Sequence, residues 1–161
     1  MLANIQAVSQ RMVSSTDSFI IQGKLSRALV VMVDDLDTFP KVRIEDQVIH
    51  NHKGEPKDTV TNIKGVLLKT IMAPVEFLYD KPRQLNEFYF VFASSDGYKV
   101  VFSWNEIYNT EAGNQFYIVT EMEGKSLREM DERILFISTA DLKTGRRYIK
   151  GLQTIDVRQI D

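Results

Sequence analysis

The sequence predicts an α+β fold, in which mixed or antiparallel sheets carry a few short inserted helices. Three observations lead there. Most apolar residues fall in short alternating or β-branched runs of strand length, and tight-turn pairs such as Asp96-Gly97 and Glu123-Gly124 join several of them. Helix signals are few and each is cut short, the acidic pair Asp34-Asp35 by Pro40 and the run from Gly65 by Pro74. At 161 residues the chain suits one domain, since a chain of this size buries roughly 70% of its unfolded surface.

Taken in order, residues 1–17 are polar with scattered apolar positions and read as an N-terminal arm; residues 18–161 read as a single domain. Residues 18–25 (SFIIQGKL) form a first strand, and 28–33 (ALVVMV) lead into a short helix at Asp34-Asp35-Leu36, where the helix dipole favours negative charge. Residues 41–49 alternate and predict another strand. Residues 50–61 (HNHKGEPKDTVT) hold Gly54, Pro56 and many charged groups, and read as a loop outside the core. Gly65 opens a run with Leu67, Leu68, Ile71, Met72 and Val75 at helical spacing, which predicts a helix ending near Pro74.

Phe88, Phe90 and Phe92 alternate with Tyr89, Val91 and Ala93, so both faces of this strand are apolar and it belongs in the middle of a sheet. Asp96-Gly97 turns the chain back into residues 98–102, because glycine accepts positive φ and aspartate can bond its own backbone. Ser103-Trp104-Asn105-Glu106 matches a capping box, so a helical turn follows. After a turn at Gly113, strands are expected at Phe116–Met122, at 133–139 (RILFIST) and in the extended segment 148–160, with turns at Gly124 and Gly145 between them.

Composition narrows the function. The net charge of −2 argues against a nucleic-acid partner, which would demand a basic excess. No apolar run reaches the roughly 20 residues needed to span a bilayer, so a soluble protein without membrane insertion is expected. Residues 1–15 lack a basic segment followed by a continuous apolar one, so no signal peptide is read in the sequence as written; export to the periplasm is expected only if a signal preceded it. The absence of cysteine removes disulfides, thiolate metal ligands and cysteine nucleophiles together.

Two groups of residues invite chemistry. His50 and His52, the only histidines, project to one side if the strand reaches them and make a candidate metal pair, with Asp46, Glu55 or Asp58 as a further ligand; the competing reading is two solvated histidines in a loop. Lys143, Arg146, Arg147 and Lys150 cluster around Gly145, with Arg133 heading the preceding strand, and could hold a phosphate because a guanidinium fork matches its oxygens in pairs. The competing reading there is a solvated turn. Asp96 and Tyr98 could be an acid and a phenol at a pocket, but the turn preference of Asp-Gly and the register of Tyr98 with Val100 and Phe102 favour a structural reading.

The order of pieces resembles the molybdopterin-binding domain of the sulfite oxidase family: a first strand ending G-x-L, an acidic helix ending Phe-Pro, a polar loop, GVLL, an aromatic strand, S-x-DGY, a capped helix, EGKSL, an Arg-led strand and YIKGLQTIDV. The match runs over residues 18–160. The resemblance implies a sulfite oxidase-like α+β fold around a molybdenum–pterin cofactor, with a cysteine thiolate on the metal from the loop before GVxL. Here residues 49–54 (IHNHKG) hold no cysteine, so a relative without molybdenum redox catalysis is expected. It also implies cofactor-phosphate contacts at Arg133 and Lys150, and a metal end lined by Asn51 or a histidine. The set expected to hold an anionic, pterin phosphate-like ligand is Asn51, Arg133, Arg146, Arg147 and Lys150. The alternatives are a protein–protein interaction or structural module with no small-molecule site, and a metal-dependent enzyme built on His50 and His52.

Overall fold

The structure, a computed structural model, describes residues 12–161. The chain begins with strands β1 (Ser18–Gly23) and β2 (Leu29–Met32), helix α1 (Val33–Leu36), and strands β3 (Val42–Ile44), β4 (Gln47–His50), β5 (Pro56–Val60) and β6 (Ile63–Leu67). After helix α2 (Leu68–Ile71) come β7 (Phe88–Ser94), β8 (Lys99–Ser103) and helix α3 (Trp104–Tyr108). Strands β9 (Phe116–Met122), β10 (Lys125–Ser126), β11 (Leu135–Ser138) and β12 (Leu152–Gln159) complete it, with 3-10 turns between several of them.

Two larger sheets and a ribbon result. The first sheet runs β2-β1-β12-β7-β8; the second runs β10-β9-β6-β3, with β11 also on β9; β4 and β5 form the ribbon. Within the first sheet β1 and β12 are parallel, Ile20 lying opposite Thr154, whereas the other pairs are antiparallel. The α+β class of mixed sheets with short helices is therefore met.

β7 sits between β12 and β8 as its double apolar alternation requires. Phe88, Phe90 and Phe92 are fully buried; on the opposite face Val91 is buried while Tyr89 and Ala93 are half-buried, so that face is the less covered one. Phe92 and Phe102 from the first sheet meet Phe116 and Phe136 from the second with ring centroids 4.9–6.0 Å apart. Tilted and edge-on geometry suits the ring quadrupoles, and this cluster ties the sheets together.

The local signals around β7 operate as read. Gly97 takes φ +84°, and Tyr98 N donates to Asp96 Oδ1 at 3.0 Å. Glu106 N donates to Ser103 Oγ at 3.1 Å while Ser103 N donates to Glu106 Oε2 at 2.7 Å, completing the capping box of α3.

Two expectations of element type fail for a shared reason, and one strand boundary shifts. The run from Gly65 was expected to be helical, but Ile63–Leu67 is a strand held between β3 and β9, leaving only the four-residue α2. Ile63, Gly65 and Val66 are buried there, and a Cβ on Gly65 would lie 2.8 Å from the Ile118 carbonyl oxygen. Short apolar runs fit both periods, and sheet partners distant in sequence decide between them. Residues 50–61, expected as a loop, contain β5, which pairs with β4 through Val48–Thr59 and Ile49–Asp58 and buries Val60. The ladder supplies what side-chain polarity could not reveal. The final strand likewise begins at Leu152, later than expected, because 148–151 turns to bridge Ile149 to Phe136.

Residues 1–11 of the expected arm lie outside the described residues. Near its end, Thr16 is buried: its hydroxyl donates to Leu152 O at 2.9 Å and accepts from Ile134 N at 3.0 Å. Among the described residues no helix is long and apolar enough to cross a membrane.

Burial also sets an alkaline limit. Tyr108, stacked on Trp104 and edge-on to Phe77, has its pKa pushed up to about 12, and burial raises that of Tyr148 further. Both remain protonated when folded at pH values that ionise an unfolded tyrosine. The unfolded chain then binds fewer protons, so stability falls with rising pH by up to about 1.4 kcal/mol per unit per tyrosine above roughly pH 10. Urea melts from pH 9 to 11.5 should show this decline, and Tyr108→Phe should make it shallower.

Candidate functional site: a groove between the His50 loop and the Gly145 turn

β4 delivers His50 to the end of the ribbon, and the 3-10 turn Thr144–Arg146 packs alongside. Thr144 Oγ1 donates to Val48 O at 3.0 Å. Gly145 approaches so closely that a Cβ there would stand 1.5 Å from the His50 carbonyl oxygen. Only glycine allows this approach. Gly145→Ala should therefore push the two segments apart and cost at least about 1 kcal/mol, as forced overpacking does; chemical denaturation would measure the loss, and the His50 and His52 NMR signals should shift with it.

The Asn51 side chain shapes the loop. Its Oδ1 accepts from Lys53 N at 2.9 Å and Glu55 N at 3.0 Å, and its Nδ2 donates to Glu55 Oε2 at 2.8 Å. Such asparagine bonds to following amides build turns. From the other side, the Tyr98 hydroxyl donates to the Arg146 carbonyl, and the Tyr98 ring lies 5.9 Å from that of His52. Burial raises the Tyr98 pKa, so the phenol keeps its proton.

These contacts frame a groove of about 880 Å³. His50, Asn51 and His52 line one part; Ser94, Asp96 and Tyr98 come from the β7–β8 turn; Gly145, Tyr148 and Lys150 come from the basic turn. Further wall comes from Met122, Glu123 and Lys125 at the β9–β10 hairpin, Met130, Asp131 and Glu132 in the connection before β11, Lys57 and Asp58 on β5, and Met12 and Val13. Buried Ile49, Val60 and Leu135 contribute apolar surface. Tyr148 directs its hydroxyl to Met122 Sδ at 3.8 Å, and Lys150 pairs with Glu132.

Of the residues expected to form a site, His50, His52, Asn51, Asp58 and Lys150 thus share one groove, Asp46 and Glu55 are not among its lining, and three arginines are placed elsewhere. The Arg133 guanidinium bonds Asp17 at 2.7 and 3.1 Å and reaches the Arg128 and Met130 carbonyls. Arg147 forms a fork to Asp141 at 2.6 and 2.8 Å, reaches Glu106 at 2.9 Å, and lies 4.1 Å from the Phe102 ring centroid. Arg146 is exposed and contributes its carbonyl to Tyr98. Asp131, Glu132, Glu123, Lys125, Lys57 and Tyr148 line the groove without any signal in the sequence: they come from β5, the β9–β10 hairpin and the segments before β11 and β12, which only folding assembles.

For a metal, His50 Nδ1 is buried without a hydrogen-bond partner among the described residues, while His52 is exposed. Among the described residues no three His, Cys, Asp or Glu side chains are grouped so as to hold a metal ion.

No protein-family model matches the chain, and no curated protein matches it in sequence. Its architecture is that of an α+β domain of mixed sheets with short helices. Among solved structures it is similar to the sulfane dehydrogenase SoxCD from Paracoccus pantotrophus, with a TM-score of 0.61 and 13% sequence identity over 87% of this chain. The likeness is one of fold, and this chain spans 37% of that one.

The groove does not fit a molybdenum–pterin group bound in the manner the family resemblance implies. It offers no thiolate, the guanidinium groups of Arg133 and Arg147 are engaged by carboxylates outside it, and its lining counts three lysines against five carboxylates.

Proposed function

We propose that this chain is a molybdopterin-binding-domain-like protein that works without molybdenum redox catalysis and holds a small organic molecule in the groove between the His50 loop and the Gly145 turn. The groove itself carries the reading: it joins the segment in which the family resemblance would put the metal ligand to the segment in which it would put the phosphate contacts. The ordered sequence pieces and the fold-level likeness to a sulfane dehydrogenase support the domain type. The missing cysteine supports the lack of molybdenum chemistry, since a soft thiolate donor is what the chain would contribute to that metal.

Expression in a molybdenum-cofactor-competent host, followed by metal analysis and fluorescence of oxidised pterin, tests the first half; stoichiometric molybdenum with pterin would overturn it. Thermal melts at constant ionic strength with a panel of small heteroaromatic compounds test the second. A ligand at ten times its dissociation constant raises stability by about 1.4 kcal/mol. The groove reading requires at least one such shift that is weakened by Tyr98→Ala or Lys150→Ala. Shifts that both variants retain in full would place binding elsewhere, and the interaction-module reading would replace this one.

A further inference from the structure

We infer that the groove's ligand is a flat organic cation, an inference that rests on the groove being a ligand site and concerns which chemical class it takes. The charges come first. Among the described residues the lining has a surplus of two negative charges with the histidines neutral. Lys150 adds little positive potential, because Glu132 holds it. Asp131 and Glu123, from separate connections, have no ion-pair partner among the described residues; nor do Lys57 and Lys125, so the excess of carboxylates over lysines is what sets the sign. A low-dielectric cleft lined by one excess sign concentrates that field and favours the opposite charge.

The walls supply the second part. Rings of Tyr98, Tyr148 and His52 face a groove whose apolar surface includes Ile49 and Leu135. Aromatic faces attract cations through their quadrupole, and the Lys150 ammonium already sits 5.9 Å from the Tyr148 centroid. Both phenols stay neutral because burial raises their pKa values, so neither competes as an anion below strongly alkaline pH. A dianionic ligand meets the reverse situation. Arg133 and Arg147, which would neutralise it, are paired outside the groove, Arg146 is not among the lining residues, and a dianion would face the carboxylate surplus directly.

Benzamidine, benzamide and benzoate share a ring and differ in charge, so they isolate the charge preference. NMR titration of the full chain at low salt should show benzamidine shifting His52, Tyr98 and Tyr148 signals and binding at least about tenfold more tightly than benzoate, a gap that narrows with added salt. The D131N/E123Q variant keeps both side-chain shapes and should lose most of that preference. Benzoate binding in the groove as tightly as benzamidine, or an unchanged preference in the variant, would overturn the cation assignment and leave the groove reading standing. If none of the three probes shifts those signals, the groove reading falls with it.

Discussion

Phe136→Ala should destabilise the protein by about 3–5 kcal/mol, the largest single-substitution effect expected here. Phe136 is fully buried on β11, and its ring touches those of Phe92, Phe102 and Phe116. Removing it deletes apolar area and also leaves a cavity between two sheets whose strands cannot close the gap without breaking ladder hydrogen bonds. Urea denaturation followed by far-UV circular dichroism would measure the loss. A cost near 1 kcal/mol would mean that the sheets do not share this core. Phe136→Leu should recover much of the stability, because it keeps most of the volume.

Arg147→Ala should cost about 3 kcal/mol, an effect on folding rather than on ligand affinity. The Arg147 side chain is 25% exposed and that of Asp141 only 11%, so truncation leaves a nearly buried carboxylate without its counter-charge. The guanidinium raises its own stability as a cation through bonds to Asp141 and Glu106 that outweigh the burial opposing it. It also covers the Phe102 ring, so packing is lost with the charge. Arg147→Lys should restore only part of the stability, since an ammonium cannot reproduce the fork to Asp141. A double-mutant cycle with Asp141→Asn, read by chemical denaturation, would give a coupling energy near zero if the pair were merely a surface contact. The binding of groove ligands at temperatures well below the melt should be unchanged in Arg147→Lys, which separates this role from the phosphate contact expected of it.

The two substitutions bear on different kinds of legibility. The alternation of Phe88, Phe90 and Phe92 with Tyr89, Val91 and Ala93 was sufficient to place β7 inside a sheet, because a period of two with apolar residues on both faces has one stable solution. The Asp96-Gly97 turn and the Ser103–Glu106 capping box were equally legible, since each is completed within four residues by the groups that cause it. β5 was not. Between Pro56 and Val60 its residues are polar, and what makes them a strand is the ladder to β4. Arg147 shows the same limit at the level of a side chain. Its place in a basic cluster was visible, but Glu106 and Phe102, which claim its guanidinium, lie far away along the chain.

By itself, then, the sequence determined the α+β class, the central aromatic strand, the local turns and caps, and the lack of any thiolate, because these depend on periodicity, near-neighbour bonding or composition. Tertiary structure alone decided that Ile63–Leu67 is a strand, that Arg133 and Arg147 are spent on structural ion pairs, and that acidic side chains from separate connections line the groove with His50, His52 and Lys150. The reason is physical: a side chain's ionic partners, and the choice between helix and sheet for a short apolar run, are set by groups brought near through folding.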